Sequence, residues 1–155
     1  MKTTLKKILV PVDFSLASRH ALKVACGLAL EGDETLTLLN IYQIPGFVYP
    51  DGFMPAGPER MSDLMEKTNE TLEALKQVAQ RAGAKHVFVK ACEGTPFAEI
   101  VSEAQAGNCD LIVMGTHGHT GITHAWLGSV AENVVRRASC PVMTVRLPTS
   151  DGGRA

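Results

Sequence analysis

Asp110-Leu111-Ile112-Val113-Met114-Gly115-Thr116-His117-Gly118-His119-Thr120-Gly121-Ile122-Thr123-His124-Ala125-Trp126-Leu127-Gly128-Ser129 is the stretch whose reading decides the fold. Leu111 to Met114 form an almost unbroken apolar run, the pattern of a strand buried on both faces in a parallel sheet. From Gly115 to Ser129 the chain carries four of its fourteen glycines and leads into a helix predicted over Ser129–Ala138. Glycines at a strand-to-helix junction permit positive φ and close backbone approach to an anion. The unpaired first-turn amides and the helix dipole favour negative charge there. Strand, glycine-rich loop and helix together read as a phosphate cradle on one half of a βαβ unit.

The rest of the chain repeats that alternation. Ile8-Leu9-Val10-Pro11-Val12 is a second fully apolar strand, ended by Asp13-Phe14-Ser15. Ala17, Ala21, Val24, Ala25, Leu28 and Ala29 recur at helical spacing over about Ser18–Leu30, with Gly32-Asp33 after them. Thr35–Tyr42 is β-branched and apolar, a strand. Residues 43–60 hold Pro45, Pro50, Pro55 and Pro58 among glycines and read as a loop, either of lid or partner-contact type or a merely tolerated insertion, with Phe47, Tyr49 and Phe53 folding back on something apolar. Met61, Leu64, Met65, Thr68, Leu72, Leu75, Ala79 and Ala82 mark one face of a long helix ended by Gly83, the methionines serving as core filler. His86–Ala91 is a strand. Thr95-Pro96 is an N-cap with proline at the first helical position, opening a helix through Ala106, and Val142–Arg146 is the last strand.

This order predicts an α/β fold, an open five-stranded parallel sheet with right-handed crossovers and helices on both faces. It also predicts a single domain over residues 1–147, with a small polar tail at 148–155. In such sheets ligands sit beyond the carboxyl ends of the strands, where strand order reverses. Two strand ends carry unusual chemistry, Asp13 and Gly115, and a site lies between them if those strands are neighbours.

Composition sets the bounds. The chain has 155 residues, 45% apolar and 20% charged, with 15 Lys+Arg against 16 Asp+Glu and a formal net charge of -1. That is the composition of an ordinary globule, with no basic patch to track nucleic acid. No apolar run approaches the roughly 20 residues of a membrane span, and the start lacks a signal-peptide core, so a cytoplasmic protein is expected. Cys26, Cys92, Cys109 and Cys140 are widely spaced without a C-x-x-C pair, and read as reduced core residues. His117, His119 and His124 have no cysteine or carboxylate beside them, and no metal site is expected.

The spacing Gly115-x2-Gly118-x9-Gly128-Ser129 resembles the G-x2-G-x9-G-[S/T] pattern of the nucleotide-binding branch of the universal stress protein family. Lys7–Ser15, Leu38-Leu39-Asn40-Ile41, Asp110–Met114 and Ser139–Val145 are similar to that family's strands, so the likeness spans nearly the whole chain. The resemblance implies strand order 3-2-1-4-5, which makes the Asp13 and Gly115 strands neighbours, and it implies binding of ATP or AMP. By position, Pro11, Val12 and Asp13 would flank the adenosine and the Ile41 backbone would address the adenine edge. Met114, Gly115 and Gly118 would line the ribose and phosphate path, and Gly128, Ser129 and Val130 would hold phosphates. A regulatory module of this kind leaves room for Mg²⁺ bridging the phosphates of a bound nucleotide. The resemblance also implies a homodimer through Val142-Met143-Thr144-Val145, a sheet edge open to pairing with a second copy.

Two residues keep alternative readings. Ser129-Val130-Ala131-Glu132 is a capping box, so Ser129 either caps its helix or meets phosphate. Asp13 is either a helix-capping acid or faces the ligand. Where the family commonly has a basic residue after the second glycine stands His119, only partly charged near neutrality, which predicts tighter ATP binding near pH 6 than near pH 8. No Lys or Arg lies between Gly115 and Ser129, and the P-loop motif is absent, which argues against fast phosphoryl transfer. A nucleotide-dependent regulatory module of the stress response is the expectation. A nucleotide-free adaptor of the same fold and a Mg²⁺-dependent hydrolase are the competing classes.

Overall fold

The central strand β1 (Lys7–Pro11) is buried at four of its five residues because it is flanked on both sides. It pairs in parallel with β2 (Thr35–Tyr42) from Lys7↔Thr35 to Pro11↔Leu39, and with β6 (Leu111–Gly115) at Ile8↔Leu111 and Leu9↔Ile112. β5 (His86–Glu93) lies outside β2 and β7 (Val142–Val145) outside β6, giving a five-stranded sheet of order β5-β2-β1-β6-β7 with every pair parallel. Counting only these five strands, that is the expected order 3-2-1-4-5. The computed structural model describes residues 5–30, 32–117 and 127–148. The predicted tail at 148–155 falls outside them beyond Pro148.

Period-2 alternation sends strand residues to two cores. Ile8, Val10, Leu36, Leu38 and Val113 face α1 (Leu16–Leu28) and α2 (Pro58–Arg81). Leu9, Leu39, Ile112 and Met114 face α3 (Pro96–Ala106) and α4 (Ser129–Arg137). On α1 the buried stripe includes Ala17, Ala21 and Ala25, small enough for the helix to lie close to the sheet. At the amino edge, Asp110 Oδ2 accepts the N–H groups of Lys6 and Lys7 at 2.9 and 2.8 Å. These bonds hold its carboxyl below the ordinary carboxylate range. Among the described residues no helix is long and apolar enough to cross a membrane.

Several expectations are corrected. Residues 43–60 are not a plain loop: β3 (Gly46–Tyr49) and β4 (Gly52–Pro55) form an antiparallel hairpin around Pro50-Asp51, with Gly52 at φ 139°. Phe47, Tyr49 and Phe53 do not fold back on an apolar surface, being 54%, 51% and 56% exposed. The long helix begins at Pro58 rather than Met61, because Gly57 is its N-cap and a first-turn proline is preset for helical φ. Of its expected stripe only Thr68, Leu72, Leu75 and Ala79 are buried; Met65 is exposed and Met61 half-buried, since the helix outruns the sheet. Thr95 is an N-cap by position, but its hydroxyl makes no capping bond. All four cysteines are free, yet only Cys26 is fully buried. Burial pushes each thiol above its ordinary value.

Candidate functional site

β1 ends where the strand order reverses, and the chain must leave the sheet there. The Asp13 carboxylate accepts both the backbone N–H and the hydroxyl of Ser15, at 3.0 and 2.5 Å. Phe14 takes φ 67°, a left-handed conformation that is costly for a bulky residue and typical of functional turns. Ser15 then caps α1, its Oγ accepting the Ser18 N–H at 3.2 Å. This is why α1 starts at Leu16, ahead of the predicted start. It also separates the two readings of Asp13: Ser15 is the cap, and Asp13 braces that cap while lining the cavity beside it.

On the other side of the switch point, Thr116 N–H donates to Val145 C=O at 3.0 Å, and Gly128 N–H donates to Thr116 C=O at 2.7 Å. The second bond seats the start of α4 against the carboxyl end of β6. Intrahelical bonding in α4 begins with Glu132 N–H to Gly128 C=O, so the N–H groups of Ser129, Val130 and Ala131 have no intrahelical acceptor. Gly128, not Ser129, is the N-cap, so of the two readings of Ser129 the helix cap is not formed. With Ser129 one position inside the helix, its hydroxyl is not engaged in the capping role.

Gly115 and Gly128 act through close approach rather than through positive φ. Gly128 has φ -68°, and a Cβ on it would sit 3.1 Å from Thr116 O. A Cβ on Gly115 would sit 3.0 Å from the Cβ and 3.1 Å from the carbonyl carbon of Ala17, so this glycine admits the first turn of α1. Neither glycine is among the positive-φ residues.

One cavity of about 260 Å³ occupies this switch point. It is lined by Pro11 at the end of β1 with Val12 and Asp13 just after it, Ile41 from β2, Met114 and Gly115 from β6, and Gly128, Ser129 and Val130 at the start of α4. These nine residues were singled out from the sequence, and the fold brings them together. The other two, Gly118 and His119, lie outside the described residues. Sequence reasoning missed Thr116 and His117, although they directly follow Gly115, as well as Ser18, Leu39, Pro96, Ile100 and Ala131. The Thr95-Pro96 helix start signalled Pro96, and helical period then adds Ile100. Thr116 Oγ1 and His117 Nδ1 are 3.1 Å apart. Asp13 and His117 are the titratable side chains among the described lining residues. No cluster of three or more His, Cys, Asp or Glu suited to a metal occurs among the described residues.

Residues 4–146 match the family model described as universal stress protein family. The chain belongs to the universal stress protein family. A universal stress protein of Methanocaldococcus jannaschii is 38% identical over 148 residues, covering 94% of this chain and 85% of that one. Among solved structures, the hypothetical protein MJ0577 superposes with TM-score 0.78 at 29% identity, covering 94% of this chain and 99% of that one. Two universal stress proteins share the fold at lower identity and were solved with ligands. One is in complex with cAMP (TM-score 0.70, 24% identity, 93% and 98% covered). The other, from Archaeoglobus fulgidus, is in complex with dAMP (TM-score 0.63, 22% identity, 91% and 97% covered).

Proposed function

We propose that this universal stress protein binds an adenine nucleotide, ATP or AMP, in the switch-point cavity and works as a nucleotide-dependent regulatory module of the stress response, with at most slow hydrolysis. The observation that carries the reading is the convergence on one cavity of an apolar wall, an acid and a helix N-terminus whose N-cap, Gly128, brings no side chain to its first-turn amides. Pro11, Val12 and Ile41 supply surface for a flat base, and Asp13 a carboxylate for ribose hydroxyls or a Mg²⁺ ion. The amides of Ser129 and Val130, behind Gly128, supply donors for phosphate oxygens without any lysine or arginine. Met114 and Gly115 form the path between base and phosphates. The fold relatives solved with cAMP and dAMP support the same ligand class.

Phosphoryl transfer draws on cations aimed at the developing charge. Asp13 and His117, the titratable groups on the described wall, do not form such a clamp, which favours sensing over turnover. β7 lies at the sheet edge with one neighbour, β6, and we assign the homodimer to pairing of that edge with a second copy. Isothermal titration of nucleotide-free protein with ATP and AMP tests the reading. Saturable binding of one nucleotide per chain is expected, and no heat of binding at millimolar nucleotide would overturn it.

A further inference from the structure

The ladder between β1 and β2 stops one rung early, and a buried side chain occupies the place of the missing rung. Val12 N–H donates to Leu39 C=O at 2.8 Å. A regular parallel ladder would next bring Ile41 N–H to the Val12 carbonyl, a bond absent among the described residues. The Val12 carbonyl accepts instead from Nδ2 of Asn40 at 2.8 Å. Asn40 is only 6% exposed and shares its face of β2 with Leu36 and Leu38, both at 0%. An aliphatic residue would suit that row better, so core packing does not explain the amide.

The consequence falls on Ile41. Backbone groups alternate sides along a strand, so if Leu39 C=O faces β1, the N–H and C=O of Ile41 face the same lane. β1 has left that lane: after Val12 comes the Asp13–Ser15 turn with Phe14 at φ 67°. The vacated lane is part of the cavity, which both Val12 and Ile41 line. Ile41 therefore presents an adjacent donor and acceptor to whatever occupies it.

We propose that Asn40 is a positioning residue: by taking the Val12 carbonyl it keeps Ile41 N–H and C=O available to a base edge and so sets base preference. This rests on the nucleotide reading above and deepens it. Adenine offers an acceptor ring nitrogen beside an amino donor. Hypoxanthine offers the opposite pair, a protonated ring nitrogen beside a carbonyl, and in the same orientation it would set donor against donor and acceptor against acceptor.

The test has two arms. In nucleotide-free wild-type protein, the Ile41 amide should exchange with deuterium at least about tenfold faster than the Leu39 amide, which lies in the intact ladder. Equal protection would overturn the inference, whether or not any nucleotide binds. In the second arm, Asn40→Leu lets Ile41 N–H close the rung on Val12. Its preference for ATP over inosine triphosphate should fall about tenfold, with Ile41 becoming protected and affinity for inorganic tripolyphosphate unchanged. An unchanged ATP preference in a folded Asn40→Leu protein would overturn it. Wild-type protein that binds neither nucleotide would refute the nucleotide reading, and the exchange contrast would still decide whether Asn40 holds the lane open. If Asn40→Leu fails to fold, the wild-type exchange arm decides.

Discussion

Gly115→Ala should cost the protein stability although the change adds one methyl group and relieves a flexible glycine. The new Cβ would lie 3.0 Å from Ala17 Cβ and 3.1 Å from Ala17 C, short of ordinary carbon contact by about 0.5 Å or more. Ala17 is only 7% exposed in the first turn of α1, and two of the three nearest atoms are backbone, so relief requires the helix itself to shift. Overpacking of this kind costs about 1–3 kcal/mol. With a urea m-value of about 2 kcal/mol/M, the midpoint falls by about 0.5–1.5 M. Gly27→Ala is the matched control: this glycine is exposed within α1 and a Cβ there meets nothing within 4 Å. Alanine should stabilise by about 0.4–1 kcal/mol, raising the midpoint by about 0.2–0.5 M. Urea unfolding followed by circular dichroism at one fixed protein concentration reads both. A Gly115→Ala midpoint at or above wild type would refute the close-approach account of this glycine.

Further outcomes follow from the same geometry. Gly128→Val places a branched side chain 3.1 Å from Thr116 O and should weaken ATP binding at least about tenfold in calorimetry; an unchanged Kd in a folded variant would exclude the α4 start from the site. Asp110→Asn should be less stable than wild type by about 1 kcal/mol at pH 7, the exposed charge being screened. The folded-state pKa of Asp110 is lowered, so its contribution is complete above the unfolded carboxylate value and lost as pH falls through the folded one. The two proteins should therefore converge once pH falls below that folded-state value, and a constant difference across pH would contradict the assignment. Thr144→Pro should dissociate the proposed dimer in sedimentation velocity while leaving the monomer folded. Ile112 N–H to Pro141 C=O and Thr116 N–H to Val145 C=O are the rungs toward β6, which turns the Thr144 N–H to the outer edge. A Thr144→Pro protein that still sediments as a dimer would remove β7 from the interface.

The main sheet was legible because its strands carry their own signal. Leu9 and Val10 at 0% exposure and Ile112 and Val113 at 0% are what continuous apolar runs predict for two-faced burial. The hairpin was not legible, because Pro45, Pro50 and Pro55 read as loop punctuation while its strands are four residues each and bury nothing. Gly128 and Ser129 both suit an N-cap, and what decides is the tertiary placement of the loop end, which leaves Gly128 extended and makes its C=O the first intrahelical acceptor, from Glu132 N–H. Asp13 and the glycine-rich loop could be named from two strand ends and one loop, whereas Pro11, Val12, Ile41, Met114 and Val130 were named through the family resemblance. The open side of Ile41 could not, since it depends on where β1 stops against β2, a tertiary fact carried by Asn40, Val12 and the Phe14 turn.

Titration of ¹⁵N-labelled protein with ATP, followed amide by amide, reads out whether an adenine nucleotide enters the switch-point cavity. Saturable shifts should concentrate at Val12, Asp13, Ile41, Gly115, Ser129 and Val130, with β5 and the outer face of α2 unmoved. An absence of shifts at millimolar ATP, or shifts centred on another face of the protein, would contradict binding in that cavity.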